Sequence, residues 1–271
     1  MGIAVTVGEE FDGISEIYDS TRHPATEAEL KAVSRELRNC RTVLDVGVGT
    51  GRFAKPLSDA GFEVVGIDVS RKMMLRARQK GVKSLIVADA HNMPFVDGSF
   101  DASIIVHVLH LIPDWLMVMR EMGRVTKSRV AALLRNRQRE LSMASNGSGH
   151  ASALSAVIPE FWMRYAQLRE EVGYPLRRNR RMWENEEEIR SKLPPMKLVR
   201  VSDEVVSMSV SDLAMRFQQR TNPMVQDVPV DVNEKIIRRL LSEARSALGE
   251  KPLERRVVEE LAVWRPDQLR C

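Results

Sequence analysis

Apolar and polar positions alternate along the first half of the chain with two different periods. Short apolar runs at Thr42–Val46, Glu63–Ile67, Ser84–Val87, Ser103–Val108 and Arg129–Leu134 read as strands. Segments with helical spacing lie between them: Phe53–Ala60, with Pro56 tolerated in its first turn and Gly61 as its stop, then Arg71–Lys80, stopped by Gly81. A third helix opens at Pro113-Asp114, with Asp114 as its expected cap and Leu116, Met119, Met122 and Val125 as its buried face. Strands alternating with helices of about ten residues imply a parallel sheet built from βαβ units.

After Leu134 the pattern changes. Asn146-Gly-Ser-Gly149 reads as a flexible loop, and residues 152–172 as a helix with Pro159 as a kink or boundary. Asn185 with Glu188, Ser209 with Asp212, and Asp231 with Glu234 have the spacing of capping boxes. Lys197–Met208 and Arg255–Trp264 look like two late strands, and Ile237, Leu240, Leu241, Ala244 and Leu248 form one helix face ended by Gly249. The expected architecture is α/β: a doubly wound, seven-stranded, mostly parallel sheet with a helical insertion, or lid, after the fifth strand. Its expected divisions are an N-terminal helical cover (1–40), a nucleotide-binding core (41–135), the insertion (136–195) and a C-terminal completion of the sheet (196–271).

Composition narrows the class without choosing a function. The chain has 271 residues, 44% hydrophobic and 29% charged, an ordinary globular balance with a net charge of only +4. So small a surplus neither demands nor excludes a nucleic-acid partner; the basic run Arg177–Arg181 beside Glu184–Glu188 reads as a solvated face, so such a partner is not the leading expectation. Two cysteines, Cys40 and Cys271, offer no metal spacing and no disulfide framework. With no secretory pattern at the start and no long apolar run, a cytoplasmic protein without a membrane span is expected.

The chemistry concentrates in Val43-Leu-Asp-Val-Gly-Val-Gly-Thr-Gly51, a strand that runs into Gly-x-Gly-x-Gly and then a helix. Glycines allow a sharp turn and close backbone approach to a ligand, and the helix start offers unpaired N–H groups. Asp68, at the end of the second strand, is placed to accept hydrogen bonds from a ribose diol. Arg52 stands where a dinucleotide fingerprint has its third glycine, and Asp89-Ala90 follows the third strand, where an adenine amino group would be read.

These pieces resemble the class I S-adenosylmethionine-dependent methyltransferases, and among them the methyltransferase-11 or UbiE-like group. The matching segments are VLDVGVGTGRF (43–53), VVGIDVSRKMM (65–74), ADAHNMPFVDGSFDASIIVHVLHLI (88–112) and REMGRV (120–125). Upstream, Phe11-Asp12 and Ile17-Tyr18-Asp19 are similar to a short helix that closes over the cofactor in that group. Where the group usually has a Gly-Gly pair before its fifth strand, this chain has Ser128-Arg129.

The resemblance implies S-adenosylmethionine as cofactor, with S-adenosylhomocysteine as product, and it implies roles. Asp45 and Gly47 would hold the methionine amino end, and Val48, Gly49, Thr50 and Gly51 would give close backbone contact. Asp68 would bind the ribose, Val69 and Met73 would pack on the adenine, and Asp89 and Ala90 would read its amino group. Tyr18 and Arg22 would cover the methionine part, and His107 would stand at the junction of cofactor and acceptor. His107 and His110 admit a general-base role but are read first as pocket wall or as packed, hydrogen-bonded side chains; with Trp162 and Phe217 they are the expected acceptor-side residues. No metal site is expected. A small-molecule acceptor is the leading reading, against an RNA or protein methyltransferase, a non-catalytic cofactor-binding module and, more distantly, a nicotinamide dehydrogenase.

Overall fold

The structure, a computed structural model, describes residues 7–21, 24–135, 161, 163–175, 185–219, 225–248 and 253–270. Arg22, Trp162, the Asn146–Gly149 loop, Pro159, the basic run 177–181 and Gly249 lie outside the described residues.

Seven strands form one sheet: β1 (Thr42–Val46), β2 (Glu63–Asp68), β3 (Ser84–Val87), β4 (Phe100–Val106), β5 (Thr126–Arg135), β6 (Lys197–Met208) and β7 (Leu253–Trp264), in the order β3-β2-β1-β4-β5-β7-β6. The β1–β2, β1–β4, β2–β3 and β4–β5 pairs are parallel, whereas β7 runs antiparallel to β5. Strand order reverses on either side of β1, so the end of β1 lies at the topological switch point of a doubly wound sheet, where such folds bind ligands.

The chain forms two compact units, residues 1–135, 180–202 and 259–271 in one, 136–179 and 203–258 in the other. The divisions fall after β5 and within β6 and β7.

In the first unit the period-two alternation separates two cores. Leu44, Val46, Ile105, Val130, Ala132, Leu134, Ala262 and Trp264 join one face, packed against helix α5 (Trp115–Val125). Val43, Ala102, Ile104, Ala131, Leu133, Leu261 and Val263 join the other, with residues of α2 (Glu27–Glu36), α3 (Ala54–Asp59) and α4 (Arg71–Gln79). A short helix, α1 (Val7–Asp12), precedes them.

The helix ends refine the sequence reading. Ser70 caps α4 by accepting the Met73 N–H, and Thr26 with Glu29 completes a capping box at α2. Asp114 precedes α5 but makes no side-chain cap, and the buried face there includes Trp115 and Val118, with Leu116 at its margin. β4 ends at Val106, two residues earlier than the apolar pattern implies, which leaves His107 in the connection.

The second unit has its own core, in which Phe161, Tyr165 and Leu168 pack with residues of α7 (Val210–Gln218) and α8 (Val230–Leu248). Ser209 and Asp212 form the expected capping box on α7. Asp231 instead sits inside the first turn of α8, since that helix starts at Val230. α6 (Asn185–Lys192), in the first unit, starts at Asn185, and the Glu188 carboxylate pairs with Lys192 and receives the Trp115 indole N–H.

Candidate active site

The turn after β1 owes its shape to glycine. Gly47, Gly49 and Gly51 have φ values of 72°, 52° and 80°, a region that strains L side chains. A Cβ on Gly47 would stand 2.5 Å from a Val108 methyl, whereas one on Gly49 would meet only the Gly47 carbonyl at 4.0 Å. The turn is therefore packed beneath Gly47 and open at Gly49. The Gly47 and Val48 N–H groups both donate to the Ile67 carbonyl, at 2.8 and 2.9 Å. Val48 fills the space above Gly66, where a Cβ would come within 2.7 Å of it. Thr50 is 2% exposed and donates its hydroxyl to Asp19 at 2.6 Å.

Two carboxylates face this turn. Asp45 is buried on β1, and burial, with the nearby charge of Asp68, pushes its pKa up to about 7 against the opposing Ala54 N–H. Asp68 accepts the Gly49 N–H at 2.8 Å and the Ser70 N–H at 2.8 Å. Its pKa is raised, chiefly by burial, despite those backbone donors. The pair places two acidic acceptors beside the turn.

The N-terminal segment is fastened over the turn by two aspartates. Asp12 accepts the Ser70 hydroxyl and the Lys72 N–H, the latter at 3.0 Å, and Asp19 binds both Thr50 and Lys80, each at 2.6 Å. Gly8 sits so close to Val69 that a Cβ would lie 3.1 Å from the Val69 carbonyl. Tyr18 meets Phe11 edge-on at 6.2 Å between ring centroids.

Asp89 is exposed and accepts both the N–H and the ring nitrogen of His91, at 2.9 and 2.7 Å. Burial raises its pKa, but the His91 contacts outweigh that and leave it lowered. Ala90 packs against the α5 core. The loop carrying both is held by α5: Arg124 donates to the Phe95 and Met93 carbonyls at 2.7 and 3.1 Å, and Glu121 accepts the Met93 N–H at 3.0 Å. This is the structural work of the REMGRV segment.

Other expected residues stand differently. Val69 is 42% exposed and free to form a ligand wall, but Met73 is 2% exposed, so its side chain is spent on packing within the fold. Phe217 is a correction of the same kind. It is 1% exposed in the core of the second unit, with Tyr165 at 4.5 Å and Phe161 at 5.4 Å between ring centroids, so it fills a core and offers no pocket surface. His110 is half-buried in the 3-10 turn Leu109–Leu111.

His107 has φ 55°, the one positive value outside glycine among the described residues. Its Nε2 lies 3.8 Å from Glu29 and 3.9 Å from Glu259. Glu29 is buried and takes both carboxylate contacts from Arg52, at 2.8 and 3.0 Å. Burial would raise the Glu29 pKa, but the His107 ring, the Thr26 N–H and the Arg52 charge hold it at about 2. Sequence reading missed Glu29, Arg52 and Glu259 as a group. The Thr26–Glu29 spacing was a visible capping signal, but nothing in a linear pattern links position 29 to 107 and 259.

The comparisons agree with this geometry. Residues 44–134 match the methyltransferase-domain family. Among curated relatives, an uncharacterized protein of Methanocaldococcus jannaschii is 34% identical over 120 residues, 43% of this chain and 56% of that protein. A demethylmenaquinone methyltransferase of Paenarthrobacter aurescens is 42% identical over 86 residues, 31% of this chain and 34% of that enzyme. The matches thus span between a third and just over half the length of these relatives. Among solved structures, the YcgJ protein of Bacillus subtilis superposes with a TM-score of 0.52 at 20% identity, covering 87% of this chain and 97% of that one, a likeness of fold. No described helix is long and apolar enough to cross a membrane.

Proposed function

We propose that the chain is a class I S-adenosylmethionine-dependent methyltransferase, as the methyltransferase-domain match over residues 44–134 supports, and that it moves a methyl group from this cofactor to a small-molecule acceptor. The observation that carries the reading is the glycine turn, open at Gly49 and flanked by the buried Asp45 and the end-of-strand Asp68. The residues fit the group. Asp45 would take the methionine ammonium, Asp68 the ribose hydroxyls, and the exposed face of Val69 the adenine. Asp89 and Ala90, on the loop locked by Arg124, stand where the adenine amino group would be read.

When bound, the cofactor supplies a methyl group already activated by its sulfonium centre. The protein then has to align a nucleophile and exclude water. Asp12 and Asp19 hold the N-terminal cover over the turn, which serves exclusion. No residue is assigned as a base, and alignment is sufficient where the nucleophile carries a free lone pair.

The relative named for demethylmenaquinone supports a small acceptor, and its match spans 31% of this chain and 34% of that enzyme. The test is mass spectrometry of the chain incubated with methyl-labelled cofactor and separate panels of quinols, small amines, RNA and protein. Label in a small molecule, and none in the macromolecules, is the expected result. Label in RNA or protein instead would overturn the small-molecule reading, and cofactor binding without transfer to any panel would favour a non-catalytic module.

A further inference from the structure

Three side chains from separate elements of the first unit converge beside the glycine turn: Glu29 on α2, His107 after β4 and Glu259 on β7. One ligand atom from each lies within 4.8 Å of the other two. The separations of His107 Nε2 from the two carboxylate oxygens, 3.8 and 3.9 Å, are too long for N–H···O hydrogen bonds, which run to ~3.2 Å. They are close to the spacing of atoms that share a cation, since ligands about 2.0–2.2 Å from one ion stand roughly 3–4 Å apart.

The outer oxygens have partners. Glu29 Oε2 accepts the Thr26 N–H, and Glu259 Oε2 faces the Ser202 hydroxyl at 3.5 Å; the two Oε1 atoms are those nearest His107, with Glu29 Oε1 also accepting Arg52 at 2.8 Å. Such supporting contacts are what orient metal ligands. The His107 backbone is held at φ 55°, the kind of local strain that gathers at functional sites.

We propose that Glu29, His107 and Glu259 form a binding site for a divalent transition cation, with Zn2+ as the ion that two carboxylates and one imidazole suit. The carboxylates would balance the ion's charge, and a fourth position would remain for water. Arg52 is the competing cation, 2.8 Å from Glu29 Oε1, and it also reaches Oε2 at 3.0 Å, so it keeps one contact when Oε1 turns to an ion.

The experiment is calorimetric titration of the chelator-treated whole chain with Zn2+ alone, in parallel with its melting temperature with and without the ion. The expected result is one site per chain, weakened at least tenfold in both His107→Ala and Glu259→Gln, with the ion-induced rise in melting temperature lost in both. If His107→Ala fails to fold, the near-isosteric Glu259→Gln decides by itself. Absence of Zn2+ binding, equal binding in the Glu259 variant, or weakening in His107→Ala alone would each overturn the assignment; the last would describe a lone histidine.

Discussion

The Asp68 carboxylate accepts the Gly49 N–H at 2.8 Å, so the end of β2 is hydrogen-bonded to the middle of the glycine turn. One side chain thus shapes the glycine turn and is the acceptor proposed for the ribose.

Asp68→Ala should weaken S-adenosylhomocysteine binding at least tenfold. A hydrogen bond to a charged acceptor contributes about 1.5–3 kcal/mol, and a diol makes two. It should also lower the melting temperature, because the Gly49 and Ser70 N–H groups lose their acceptor. Asp68→Asn keeps an acceptor and should lose less of both. Unchanged affinity in the alanine variant would remove Asp68 from the site.

The two neighbouring glycines should fail differently. Gly47→Ala forces a Cβ to within 2.5 Å of Val108, so it should chiefly destabilise the fold. Gly49→Val meets no clash in the protein, so beyond the backbone strain at φ 52° its main effect should be lost cofactor affinity, by filling the open side of the turn. Melting curves and calorimetry on both variants separate the effects, and normal binding by a folded Gly49→Val would exclude this turn as the cofactor loop.

Asp45 should make both stability and cofactor affinity depend on pH. Its folded pKa, about 7, lies above the 3.8 of the free side chain. Between those values the folded state binds more protons than the unfolded state, so this group's contribution to stability falls as pH rises from about 4 to about 7. A cationic methionine end favours the ionised carboxylate, so affinity should rise with pH, by up to about tenfold per unit below pH 6, and level off above about pH 8. Asp45→Asn should flatten both profiles. A wild-type affinity that does not change between pH 6 and 8 would contradict the assignment.

Phe217→Ala should cost about 3–5 kcal/mol of stability, the usual range for an aromatic removed from a core. Its rings of contact are Tyr165 and Phe161, and the core around them includes the buried Tyr165 hydroxyl that donates to Asn233 at 2.6 Å. Acceptor preference in the folded remainder should be unaltered. A change of acceptor at wild-type melting temperature would restore a pocket role for this residue.

The legible parts of this fold are those coded by local repetition. β1, β3 and β6 have the bounds their apolar runs imply, because alternation and flanking turn residues are visible in the chain itself. The glycine turn was legible for the same reason, being one contiguous stretch whose glycines adopt positive φ. Phe217 was harder, since an aromatic in a polar stretch looks the same whether it lines a pocket or fills a core. His107 reads as strand because valines flank it, but β4 stops at Val106 and His107 has φ 55° in the connection that follows. Its partners Glu29 and Glu259 come from α2 and β7, so their meeting depends on the completed sheet order and on no local pattern.

Calorimetric titration of the purified chain with S-adenosylhomocysteine tests the central claim most directly. One molecule bound per chain, displaced by S-adenosylmethionine and unaffected by a nicotinamide dinucleotide, is the result predicted. No binding heat, or displacement by the dinucleotide, would contradict it.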